Sequence, residues 1–267
     1  MKRFHMFTSI LFIMLLISCK NDKSKISDTT NNMGANAKIS ESKGSQDAEV
    51  EIQPISHATM VLTHMDKDIF IDPTGGKEAF NGFSSPEIVL ITDIHGDHYN
   101  IDTLKELDLS QATVVAPQAV VDKFPEDFNY GELTVMDNGD KKNILSYQIE
   151  AIPMYNFGEK AKKFHSKGRG NGYVLNLGEQ RFYISGDTED IPEMRNLENI
   201  DVAFVCMNLP YTMTVESAVS AVLEFKPNHV YPYHYRGADG LSDVDNFKTL
   251  VNQGDESIDV VQLNWYK

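Results

Sequence analysis

Four side chains able to hold a metal ion fall within six residues in the run Asp93-Ile94-His95-Gly96-Asp97-His98. Imidazole and carboxylate donors suit zinc, iron or manganese. Packing so many titratable groups together is costly unless a counter-charge offsets their desolvation, and a cation supplies one. In an extended chain Asp93, His95 and Asp97 would face one way and His98 the other. The segment could therefore serve two neighbouring metal positions. A water held by such a metal is acidified toward neutral pH and becomes a nucleophile. Asp97 is the residue expected to orient that water or take its proton.

The run follows 88–92, a continuous apolar stretch of the kind expected of a strand buried on both faces. A loop at such a strand end presents its side chains on a rigid support. Asp187 follows the strand-like segment 182–185, and His234 ends another at 229–233. His165 lies in the polar, Gly-rich stretch 162–172. Further strands are predicted at 56–63, 68–72, 112–116, 133–136, 147–153, 173–177, 202–207 and 258–265. Helices are predicted at 100–107, 118–123, 215–225 and 243–253. Hairpins dominate the first part and strand–helix alternation grows later, a pattern that two mixed sheets covered by helices would accommodate.

Other residues are candidates by position. His57 lies on the first hairpin, where it could line the pocket. Asp72 could hydrogen-bond a ligating histidine. Asn208 and Tyr211 follow the apolar run 202–207 and could contact substrate or a developing oxyanion. Lys167 and Arg169 are the cations best placed for an anionic substrate. His64 and His229 read as structural. There is no Gly-x-Ser-x-Gly elbow and no phosphate-binding Walker loop. Cys206 sits within an apolar run and reads as a buried core thiol.

The 267 residues suffice for one sizeable domain with terminal extras. A net charge of -15 argues against nucleic acid as a partner, because that affinity rests on Lys and Arg. The N-terminus carries Lys2 and Arg3, an apolar run over 7–17, then Ser18-Cys19. That is a signal-peptide pattern, too short for a typical membrane span. Leu16-Ile17-Ser18-Cys19 resembles a bacterial lipoprotein lipobox, which implies cleavage before Cys19 and lipid attachment there. The expected organisation is a signal peptide at 1–18, a disordered tether at 19–50 and a folded domain at 51–267. The expected location is the bacterial cell envelope, with the membrane reached through the lipid anchor.

Taken together, the motif, Ser56-His57-Ala58-Thr59, Ile71-Asp72-Pro73, the stretch 165–173, Ser185-Gly186-Asp187-Thr188 and Pro232-Tyr233-His234-Tyr235 resemble the metallo-β-lactamase superfamily. The resemblance runs from about Ile55 to about Arg236, and its nearest branch contains L-ascorbate-6-phosphate lactonase and many metal-dependent hydrolases. It implies a four-layer αββα sandwich of two mixed β-sheets flanked by helices. It also implies two metal positions, with zinc as the first expectation and iron or manganese as alternatives. Asp93, His95 and His165 would hold one ion. Asp97, His98 and His234 would hold the other, and Asp187 would bridge them.

One departure stands out: Asp93 occupies the place of the superfamily's usual first histidine. A carboxylate adds charge and is a harder donor than imidazole. The expected activity is hydrolysis of an ester-like bond, such as a lactone, phosphodiester or amide, in a small-molecule or lipid substrate. The alternatives are a phospholipase-like enzyme acting on membrane lipid, or a metal- or ligand-binding lipoprotein without catalysis.

Overall fold

The computed structural model describes Ala37–Lys38 and residues 49–266. The signal segment and Cys19 lie outside the described residues, as does most of the expected tether. Within that stretch Ala37–Lys38 forms a short strand, β1, paired antiparallel with Glu51–Ile52.

The first sheet runs in chain order. After β1 come β2 (Glu51–Ser56), β3 (Thr59–His64), β4 (Lys67–Ile71), β5 (Ile88–Leu90), β6 (Thr113–Ala116) and β7 (Glu132–Val135). Its hairpins are antiparallel through β4, and β4 to β7 pair parallel. The second sheet contains β8 (Lys141–Ile144), β9 (Tyr147–Met154), β10 (Gly170–Leu177), β11 (Gln180–Ile184), β12 (Val202–Cys206) and β13 (His229–Tyr233). A small hairpin, β14 (Arg236–Gly237) with β15 (Gly240–Leu241), stands apart, and β16 (Asp259–Val260) closes the second sheet beside β13. The predicted last strand is thus much shorter, although Leu263 and Trp265 beyond it remain buried.

The alternation of side chains shows how the layers form. Met60 and Leu62 of β3, Ile69 and Ile71 of β4, and Ile88 and Leu90 of β5 join the core shared with the second sheet. Their neighbours Val61, Phe70 and Val89 turn to the opposite face. There they meet Leu104 of α1 (Ile101–Glu106) and Val120 of α2 (Gln118–Val121). The short helices α3 (Gly158–Lys163) and α4 (Pro192–Arg195) follow in the second half. The second sheet is covered by α5 (Val215–Phe225) and α6 (Val244–Gly254), through Ala218, Val222 and Phe225 and through Phe247 and Val251. Helix, sheet, sheet and helix make the four layers expected. Every residue of β5, β6 and β12 is buried, so those parallel strands read as nearly continuous apolar runs.

Helices α1, α5 and α6 carry side-chain caps at their N-termini. Asn100, Thr214 and Asp243 each accept a backbone N–H from the third residue onward.

Candidate metal centre

The loop 93–98 is not extended. The N–H groups of His98 and Tyr99 both donate to the His95 carbonyl, at 3.0 and 2.8 Å, which closes a turn. Simple alternation would have put Asp97 beside Asp93 and His95. The turn instead carries Asp97 to the side of His234, whose Nε2 lies 3.3 Å from Asp97 Oδ2.

Asp187 stands among the imidazoles. Its Oδ2 lies 3.5 Å from His98 Nε2 and 3.3 Å from His165 Nε2, and its Oδ1 lies 3.3 Å from His234 Nε2. The chain reaches this point through Gly186 at φ 60, where a Cβ would come within 2.5 Å of Met154 Sδ. Gly186 N–H donates to the Tyr233 hydroxyl at 2.9 Å. Among the described residues three ligand groups result: Asp93 with His95 and His165; His98 with Asp187 and His234; and His57 with Asp97 and His234. Asp187 thus lies within 3.5 Å of histidines assigned to both expected positions, while Asp97 groups with His57 and His234.

These residues fit a metal. His98 Nε2, His165 Nε2 and Asp187 Oδ1 are buried without a hydrogen-bond partner. Buried polar atoms are nearly always satisfied, so convergent orphans of ligand type point to a cation. The opposite nitrogens are anchored. His98 Nδ1 meets Asp72 Oδ2 at 2.8 Å and Thr92 Oγ1 at 2.9 Å, and His165 Nδ1 meets Asn156 Oδ1 at 2.6 Å. Such partners fix the ring and its tautomer, leaving Nε2 for the ion. Asp72 therefore holds the ring of His98, a candidate ligand. Sequence reasoning misses Asn156, because a lone Asn after a strand carries no signal of its partner.

His57, Asp72 and His234 all have positive φ, at 50, 44 and 44°. For non-glycine residues this costs about 1–3 kcal/mol each and clusters at functional sites. His234 N–H donates to the His57 carbonyl at 3.2 Å, so two of the three strained residues are tied together.

The charges respond to one another. Burial alone would raise the carboxylates of Asp187 and Asp97. The surrounding histidines overcome it and hold both below the usual carboxylate range, Asp187 far below. Burial would lower His98, yet Asp187 and Asp72 hold it well above its ordinary value. Burial raises Asp72 despite its bonds to His98 and Thr92. Cys206 is pushed up to about 12 by burial, which leaves it an inert thiol, as expected.

A cavity of about 290 Å³ opens on this cluster, lined by His95, Asp97, Phe164, His165, Asp187, Asn208 and Tyr211. Asn208 Nδ2 lies 3.3 Å from His234 Nε2 and 3.5 Å from Asp187 Oδ2. The Tyr211 ring stands edge-on to Phe164, 5.2 Å between centroids. Phe164 lies in the polar stretch around His165 and is likewise invisible to sequence reasoning. The two expected substrate cations are engaged elsewhere. Lys167 pairs with Glu193 and sits over the Tyr155 ring, while Arg169 grips Asp93 through both of its oxygens. Neither lines the cavity, and each stands against a carboxylate.

A model of the β-lactamase superfamily domain matches residues 51–234. A UPF0173 metal-dependent hydrolase from Pyrococcus abyssi is 30% identical over 222 residues, 79% of this chain and 96% of that protein. The chain belongs to the metallo-β-lactamase superfamily. Within this superfamily it is a UPF0173-type metal-dependent hydrolase. A Parabacteroides distasonis crystal structure, assigned provisionally as a metal-dependent hydrolase, superposes with a TM-score of 0.75 at 34% identity. It covers 88% of this chain and 100% of its own. The metallo hydrolase Igni18 from Ignicoccus hospitalis has a similar fold, with a TM-score of 0.67 at 22% identity, covering 80% of this chain and 94% of its own. The lactonase branch expected from the sequence thus gives way to this coarser assignment, since these names specify a metal-dependent hydrolase and no substrate.

Because Asp72 orients His98, its exchange tests the anchoring. Asp72→Asn is expected to weaken metal affinity by about 10–100-fold while the fold is kept. Chelator competition reads this out, and parental affinity would contradict it.

Proposed function

We propose that this metallo-β-lactamase superfamily member hydrolyses an ester-like bond in a small molecule, with a lactone or simple ester favoured over a phosphodiester. The observation that carries the reading is Asp187 set among the Nε2 atoms of His98, His165 and His234 at the floor of a 290 Å³ cavity. When bound, a divalent metal acidifies water and polarises a carbonyl or phosphoryl oxygen.

The chain's own residues do the rest. Asp97, with its carboxylate ionised at neutral pH, accepts a hydrogen bond from the attacking water and aims it. Its low proton affinity makes it an orienting acceptor more than a strong base. The Asn208 amide is a donor for charge developing on the substrate oxygen. Phe164 and Tyr211 form an aromatic wall for an apolar substituent. No Lys or Arg is among the lining residues, which supports a substrate without a strongly anionic group. The volume is at the small end of ligand pockets, roughly 300–1,000 Å³ in general, and favours a compact molecule over a diacyl lipid.

Metal-replete protein assayed against aryl esters, lactones, amides and phosphodiesters is expected to turn over the first two classes. Asp97→Asn should lower that rate by about 10²-fold or more. No turnover of any class would sink the proposal.

A further inference from the structure

Arg169 is committed to Asp93. Its Nε donates to Oδ1 at 3.2 Å and its Nη2 to Oδ2 at 3.1 Å. The backbone is arranged to bring the two together. Asn171 N–H donates to the Thr92 carbonyl at 2.9 Å, tying the residue before Asp93 to the strand that starts just after Arg169. Between them, a Cβ on Gly170 would lie 2.8 Å from the Thr92 carbonyl and 3.2 Å from Asp93 Oδ1, so glycine is what permits the approach. Asp93 is fully buried and also meets His95 Nδ1 at 2.6 Å. It belongs to the ligand group with His95 and His165.

We propose that Arg169 is a positioning residue of the metal centre: the Asp93–Arg169 pair replaces the superfamily's first histidine as a unit. The inference rests on the metal-centre reading above. A neutral imidazole carries no net charge, and neither does an ion-paired carboxylate and guanidinium. The pair keeps the charge of the site while exchanging a nitrogen donor for an oxygen, which suits harder cations such as manganese or iron(II). Arg169 holds the carboxylate in place through a two-pronged bond that lysine cannot reproduce.

The consequence is non-additive. Restoring the superfamily's residue alone, Asp93→His, leaves a guanidinium without its carboxylate beside a dication. It should therefore weaken the second metal equivalent instead of strengthening it.

The test compares the parent, Asp93→His, Arg169→Met and the double variant. Each is equilibrated with manganese(II), iron(II) or zinc(II) against a competing chelator, and metal equivalents are read by elemental analysis. Thermal melting checks folding. Asp93→His is expected to lose about tenfold or more in affinity for the weaker equivalent, by like-charge repulsion. Adding Arg169→Met should restore it to within about threefold of the parent, a coupling typical of contacting residues. The proposal is overturned if Asp93→His alone binds as tightly as the parent, or if the double variant is no better than Asp93→His. Should Asp93→His fail to fold, Arg169→Lys, which keeps the charge, must stay closer to the parent than Arg169→Met. Equal affinities for those two would overturn the proposal as well. A parent chain that takes up no metal would sink the metal-centre reading itself.

Discussion

Asp187→Asn is expected to abolish tight metal binding and, with it, hydrolysis. The change is nearly isosteric, so the fold should survive. Asp187 lies within 3.5 Å of three imidazole Nε2 atoms, and two of these, on His98 and His165, are buried without a hydrogen-bond partner. The amide removes the charge that holds these rings to a common centre. Breaking a buried charged pair costs on the order of 3–5 kcal/mol, equivalent to roughly 10² to 4 × 10³ in affinity. Elemental analysis after gel filtration would show the loss, and an Asp187→Asn variant retaining its full metal complement would contradict the bridging role.

Removing the metal from the parent should lower the melting temperature substantially. A ligand present at a hundred times its Kd stabilises the folded state by about 2.7 kcal/mol. For a domain of this size, about 2–4 °C follows each kcal/mol, so a fall of about 5–10 °C is expected on chelation. The effect should depend on pH in a definite direction. His98 is held above its ordinary value, so in the metal-free protein it keeps its proton to higher pH. That proton stabilises the metal-free fold at pH below the ordinary histidine range, and the contribution is lost as pH rises through the raised value. The metal needs the neutral ring and must displace the proton. The melting-temperature gap between metal-loaded and chelated protein should therefore widen as pH rises. A gap that is constant, or that widens toward acid, would contradict the assignment of His98.

Much of this architecture is legible in the chain. The buried strand 88–92 leading into the His/Asp run is visible because parallel strands covered on both faces are uniformly apolar. Asp187 and His234 are visible because each ends a strand-like segment. The less legible parts depend on three-dimensional neighbours. Strand β8 is polar, Lys141-Lys142-Asn143-Ile144, and owes its existence to pairing with β9 at the sheet edge. The last strand is shorter than its apolar pattern suggests because buried residues such as Trp265 pack without pairing. Asn156 acquires its role from His165, nine residues onward, and Arg169 acquires its role from Asp93, 76 residues earlier. A cation in a Gly-rich loop reads as free until its carboxylate is located. The turn at His95 redirects Asp97, which periodicity alone could not anticipate.

The central claim, that this chain is a metal-dependent hydrolase whose ions sit around Asp187, is tested most directly by its metal content. Protein purified without added metal, then analysed for elements before and after chelation and reconstitution, should hold about one to two divalent transition-metal ions per chain, as expected for His/Asp sites. These ions should leave on chelation and return on reconstitution. A chain that arrives empty and stays empty after exposure to zinc, iron(II) and manganese would contradict the account.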